Sequence, residues 1–227
     1  MNDTAGYAMM QVLDFSAAGE PETAATLDRI DRLYSAWLRG RDGSGLKAVP
    51  WSLCLRSMLR LARGVTTGVA VAIRDLERIA AETRDPSPSV CGPLLELQLA
   101  RATGAPLSGP ARRLTDVVAD PMWNFGYPYH WIIWHANLEL ARAWREEGQP
   151  RQALQAVHRQ PPQFFNLGYL VESLRLEAAL LGQLGDTTGA LAVYDHYLKL
   201  RSERPDYEPW AATWDSVRAE YVALGGR

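Results

Sequence analysis

The sequence is short of the features that usually announce an activity. Its 227 residues hold two cysteines, Cys54 and Cys91, and four histidines. Zinc sites draw on close ligand pairs such as CxxC, and these residues supply none. His130 and His135 are five apart, which misses the three- or four-residue spacing of ligands on one helix face. Asp195 and His196 are chain neighbours, so on a helix they point about 100° apart and make no catalytic dyad. Glycine-rich phosphate loops, HExxH, GxSxG and calcium-loop patterns are missing, as are the HRD and DFG signatures of kinases. The expectation is a chain with no metal, no cofactor and no enzymatic activity.

An excess of charge of one sign is lacking too. Net charge is −2 and the pI about 6.1. Nucleic-acid binders normally carry a basic face and a high pI, so no nucleic-acid partner is expected. Long apolar runs are absent: "LLELQLA" falls far below the ~20 residues that cross a bilayer, so no membrane insertion is expected within this chain. The opening "MNDTAGYAMMQVLDF" has neither a positive start nor a sustained apolar core, unlike a secretory signal. A cytoplasmic location follows as the expectation, unless the chain is a fragment of a membrane-anchored protein. In that setting Cys54 and Cys91 are expected to be reduced, buried thiols, with a disulfide or a metal site as the lesser alternative.

Strand signals are nearly absent, with no alternating β-branched runs and no Asn-Gly turns. What is present is a rhythm of glycines. Helical stretches end at Gly19, Gly64, Gly104, Gly148, Gly185 and Gly225, about 40 residues apart. A glycine past the last turn fits a helix C-cap, because the left-handed conformation costs it no Cβ clash. Behind each of the first five stands a helix-start signal: Pro21 with early acids, Thr66 or Thr67, Ser108 with Pro110, Pro150, and Asp186 as an N-cap. Apolar spacing is helical, as in Ala190, Val193, Tyr194, Tyr197 and Leu198. The expected fold is all-α: about five helix-turn-helix hairpins stacked as a right-handed α-solenoid. A C-terminal capping helix over residues 207–225 would complete a single domain spanning 1–227. Hairpins cannot bury their apolar faces alone, so neighbours must stack.

Residues 132–224 resemble tetratricopeptide repeats. Two units match with a 37-residue offset: Ala141, Trp144, Gly148, Ala153 and Val157 in the first, Ala178, Leu181, Gly185, Ala190 and Tyr194 in the second. The alanines stand where the repeat brings its two helices close. Asn137 and Leu174 replace the usual aromatic four residues before the first small residue. The repeats over 5–120 fit only as helix-turn-helix, with Arg56 and Arg60 where the motif takes apolar groups. The last stretch, from Gly189 to Gly226, is also similar to the C-terminal repeats of bacterial serine/threonine kinases and transcriptional activators.

The segment 121–135, "PMWNFGYPYHWIIWH", concentrates Trp123, Phe125, Tyr127, Tyr129, Trp131 and Trp134. Residues 121–128 read as an aromatic connection, and a helix follows from Tyr129. The resemblance implies a concave groove lined by the first helix of each repeat. Carried over by register, its positions are His135, Leu138, Arg142, Arg145 and Glu146, then Glu172, Arg175, Ala179 and Gln183. Trp131, Trp134, Tyr127 and Tyr129 would line one edge. Such a groove suits an extended peptide or a carboxylate-bearing tail, since arginine forks hold carboxylates and rings anchor interfaces. Equally, the rings serve to seal an inter-repeat junction, and the arginines to stay solvated. The expected function is a protein- or peptide-binding scaffold whose partner the sequence does not identify. The alternative is the sensory or docking region of a multidomain bacterial signalling protein.

Overall fold

A computed structural model describes residues 49–82, 87–120, 130–159, 167–203 and 208–226. Among them every element is a helix and no strand occurs. The helices are α1 (Val49–Ala62), α2 (Val69–Glu82), α3 (Ser87–Thr103), α4 (Ser108–Val118), α5 (His130–Glu146), α6 (Pro150–His158), α7 (Leu167–Gln183), α8 (Thr187–Glu203) and α9 (Glu208–Ala223). The expected repeat over 5–48 and the aromatic connection over 121–128 lie outside the described residues. No described helix is long and apolar enough to cross a membrane.

The glycine rhythm has a single structural cause. Gly64, Gly104, Gly148, Gly185 and Gly225 all have positive φ, between 68° and 95°. Each closes its helix with the same pair of bonds. At Gly64, its own N–H donates to Leu61 O (2.9 Å), and the next N–H, of Val65, donates to Arg60 O (2.8 Å). This Schellman pattern satisfies carbonyls that the helix end leaves open. The same pairing recurs at Gly148, where Gln149 N–H reaches Trp144 O at 2.8 Å, and at Gly185, where Asp186 N–H reaches Leu181 O at 2.9 Å. Asp186 then caps the next helix: its Oδ1 accepts the Gly189 N–H at 2.9 Å, as an N-cap aspartate does.

The chain divides into two compact units, Met1–Ala136 and Asn137–Arg227. In the first, α3 packs against α1, α2 and α4. α2 buries Val69, Ala72, Leu76 and Ile79, a stripe at i, i+3, i+7 and i+10 that faces one way on a helix. α1 turns Cys54, Leu55, Met58, Leu59 and Leu61 inward, while Arg56 and Arg60 stay exposed. Those arginines therefore occupy the solvent face and leave the core apolar. Complete burial of Leu76, Leu94, Leu95 and Leu97 stabilises this unit by about 1.5–3 kcal/mol per side chain before the entropy of ordering.

Cys54 and Cys91, both fully buried, form a disulfide joining α1 to α3. This corrects the expectation of two separate thiols. Packing of α1 on α3 sets the two Cα atoms 5.6 Å apart, inside the range a disulfide spans. The proximity is a product of tertiary packing that spacing along the chain does not reveal.

In the second unit α7 packs against α6 and α8, and α9 lies against α7 and α8. Ala141, Ala153, Ala178 and Ala190 have no exposed surface, so each of the small-residue positions is a buried one. The core gathers Leu170, Val171, Leu174, Ala178, Tyr194, Tyr197 and Val217. Asn137 is buried as well, and its Oδ1 accepts a hydrogen bond from Arg159 Nη1 at 2.8 Å, which meets the need of a buried polar atom.

Candidate functional site

Four helices of the second unit surround a cleft of about 690 Å³. α5 contributes Arg142 and Arg145; α7 contributes Glu172, Arg175, Leu176, Ala179, Gly182 and Gln183. Tyr194 comes from α8, and Glu220, Ala223 and Leu224 come from α9 and its end. The α5 and α7 positions step by three or four residues, so each helix turns one face to the cleft. One part of the wall is charged and the rest is aliphatic, formed by Leu176, Ala179, Gly182 and Leu224. At Gly182 an added Cβ would lie 3.7 Å from the Leu224 methyls. The bare backbone there leaves room at the aliphatic end.

The charged groups form two separate ion-pair systems. Arg142 Nη1 donates to Glu139 Oε1 (2.7 Å) and Arg142 Nη2 to Glu172 Oε2 (2.9 Å). Side-chain exposure is 38% for Arg142, 42% for Glu172 and 6% for Glu139. Arg142 thus places a positive charge directly on the buried Glu139 carboxylate. Burial pulls the Arg142 guanidinium down, but the charges of Glu139 and Glu172 and their hydrogen bonds outweigh it and hold it above its usual value.

In the second system Arg175 Nη2 donates to Glu220 Oε1 (2.9 Å) and to Ser216 Oγ (3.1 Å). The Tyr194 hydroxyl donates to Glu220 Oε2 at 2.7 Å. Burial raises the Glu220 carboxyl, yet the bonds from Arg175 and Tyr194 and the charges of Arg175 and Arg145 hold it below the usual carboxylate value. Tyr194 moves the other way: burial and the Glu220 carboxylate push its hydroxyl well above the normal range. Arg145 is exposed. It acts on Glu220 and Tyr194 through its charge and makes no side-chain hydrogen bond or ion pair among the described residues. Among the described residues it is the cleft arginine without a bonded carboxylate.

The sequence-chosen residues separate accordingly. Arg142, Arg145, Glu172, Arg175, Ala179 and Gln183 meet in the one cleft. His135 and Leu138 do not belong to it; both are buried, at 7% and 5% exposure. The His135 Nε2 lies 3.0 Å from Gln98 Nε2 of α3. The reason is that α5 is buried all round from Ile132 to Ala141, apart from the half-buried Trp134, so this part of the helix has no open face for register to select. Tyr127 and Tyr129 lie outside the described residues. Trp131 stands on α5, but its side chain is not among those described. Glu146, also chosen by register, is exposed beyond the cleft.

Sequence reasoning missed Tyr194 and Glu220. The signal for Glu220 was its place on α9 three residues after Val217, on the side that also presents Tyr221 and Leu224. A second missed pair lies away from the cleft, where His158 Nε2 and Glu177 Oε1 stand 2.7 Å apart. Among the described residues no group of three or more His, Cys, Asp and Glu side chains is arranged to hold a metal. Comparison of the chain with protein-family models, curated proteins and solved structures finds no match.

Proposed function

We propose that this chain is a tetratricopeptide-like α-solenoid scaffold that binds an extended peptide segment of a partner protein in the cleft between α5, α7, α8 and α9. The observation that carries this reading is the convergence of Arg142, Arg145, Glu172 and Arg175 beside an aliphatic wall. Recognition sites for peptides combine these elements: a few fixed polar groups for orientation and apolar surface for affinity. The same groups are poorly suited to chemistry. Proton transfer near neutral pH needs a group that titrates there, whereas the tyrosine hydroxyl is pushed up and Glu220 is held down. These two groups therefore serve the proposed cleft as fixed hydrogen-bonding partners.

The test is a photo-crosslinking amino acid at Gln183, an exposed cleft residue, compared with the same group at Arg112 on α4. In cells that produce the chain, Gln183 should trap a discrete partner, and Arg145→Glu should reduce that product about tenfold, the effect of losing ~1.4 kcal/mol of binding. Identical products from Gln183 and Arg112, or none from Gln183, would rule out the cleft as the binding surface.

A further inference from the structure

We infer that Glu220 occupies, from within the chain, the seat that an acidic side chain of the bound peptide takes, so that α9 is a built-in competitor which the peptide displaces. This inference rests on the peptide-binding reading of the cleft and adds the chemistry of its ligand: an acidic residue flanked by aliphatic ones.

The seat is a receptor for a carboxylate. Arg175 Nη2 serves one oxygen of Glu220 at 2.9 Å and the Tyr194 hydroxyl serves the other at 2.7 Å. Hydrogen bonds to an ionised carboxylate are among the stronger ones in proteins. Both donors belong to helices other than α9. Tyr194 is embedded in the core with Leu174 and Ala178, and Arg175 follows Leu174 directly on α7. The seat therefore survives when Glu220 leaves it.

Around Glu220, much of the described surface of α9 faces solvent. Among the described side chains of α9, Val217 is the one fully buried. Tyr221 adds an edge-on contact to Tyr194, with ring centroids 6.5 Å apart, and Leu224 packs at the margin of the core. Asp215, Ser216, Arg218, Ala219, Val222 and Ala223 are all exposed. An incoming acid has one advantage over Glu220, because Arg145 is not bonded to Glu220 and remains available for a second contact. With Glu220 displaced, Arg175 and Arg145 both face an anionic visitor, and the aliphatic wall along Leu176, Ala179 and Gly182 receives its apolar neighbours.

The experiment replaces the internal carboxylate by an external one. Glu220→Ala should melt below the wild type, and sodium propionate at ~0.2 M should raise its melting temperature by about 2–4 °C relative to sodium chloride of equal ionic strength. The wild type, its seat filled, should shift little. Arg175→Ala combined with Glu220→Ala should lose the response. Equal responses in all three proteins, or none in Glu220→Ala, would overturn the inference. If the alanine variant does not fold, Glu220→Gln keeps the shape of the seat; propionate should then move the Arg175 side-chain NMR signal in the variant and not in the wild type, and a static signal refutes it. Rescue without any partner crosslinked at Gln183 would retain the carboxylate seat and overturn its assignment to a peptide.

Discussion

Arg142 and Arg145 lie one turn apart on α5 and line the same cleft, yet their loss should differ sharply in its effect on stability. Arg142→Ala takes from Glu139, whose side chain is 6% exposed, its ion-pair partner one turn away. Breaking a buried ion pair from one side costs ~3–5 kcal/mol. Arg142 itself is 38% exposed, so solvent weakens the pair and about 2–3 kcal/mol is the better figure. For a unit the size of Asn137–Arg227, each kcal/mol moves the melting temperature by ~4–8 °C, giving a drop of roughly 10–20 °C. Arg145→Ala removes a solvated side chain and should stay within ~0.5 kcal/mol of wild type. Adding Glu139→Gln to Arg142→Ala should recover part of the loss, because a neutral amide is cheaper to bury than a charge. Thermal unfolding followed by circular dichroism at 222 nm reads all four proteins. If Arg142→Ala melts with the wild type, Arg142 is not the support of Glu139, and the division between a structural and a ligand-facing arginine collapses. The design matters for binding work, since a charge reversal at Arg142 would disable the cleft by unfolding its wall.

Two further outcomes follow from features of each unit. The Cys54–Cys91 bridge closes a separation of 37 residues, for which chain entropy gives about 4 kcal/mol; reductant should lower the urea midpoint of the first unit by ~2 M at an m-value near ~2 kcal/mol/M, whereas alkylation of both cysteines in unfolded, unreduced protein would refute the bridge. Glu220, facing Arg175 of α7, Tyr194 of α8 and Arg145 of α5, is held below its ordinary value; its contribution to stability is present above the unfolded carboxylate value of 4.5 and fades as pH falls through the lower, folded one. Melting curves between pH 6 and pH 3 should fall more steeply for wild type than for Glu220→Gln, and parallel curves would contradict the assignment.

What the sequence disclosed was whatever is decided locally. A glycine C-cap depends on six consecutive residues, so Gly64, Gly148 and Gly185 were legible before any tertiary contact. The expected close-approach positions Ala141, Ala153, Ala178 and Ala190 are buried, and Arg142, Arg145, Glu172 and Arg175, chosen by the same expectation, line one cleft. Register failed at His135, where burial on all sides of α5 removes the open face that it assumes. Cys54 meets Cys91, and Glu220 meets Arg175 and Tyr194, across packing between helices far apart in the chain, and no local pattern encodes those meetings. The bond from Arg142 to Glu139 was within reach at i, i+3, but whether such a pair is solvated or buried is a tertiary property.

The glycine caps also bear on how the chain is made. Each helix end is closed by carbonyls and amides from its own last turn, so closure waits for nothing downstream. As the polypeptide leaves the ribosome at ~5–20 residues per second, each glycine-capped helix has its stop signal in hand before the helix that follows it exists. Local closure of this kind keeps early contacts short-range, the condition for rapid folding. Replacing one such glycine by a residue with a Cβ would add ~1–2 kcal/mol of left-handed strain at a site where nothing lies within 4 Å. The effect would be a delayed or misplaced helix stop during synthesis, with no clash in the finished protein to betray it.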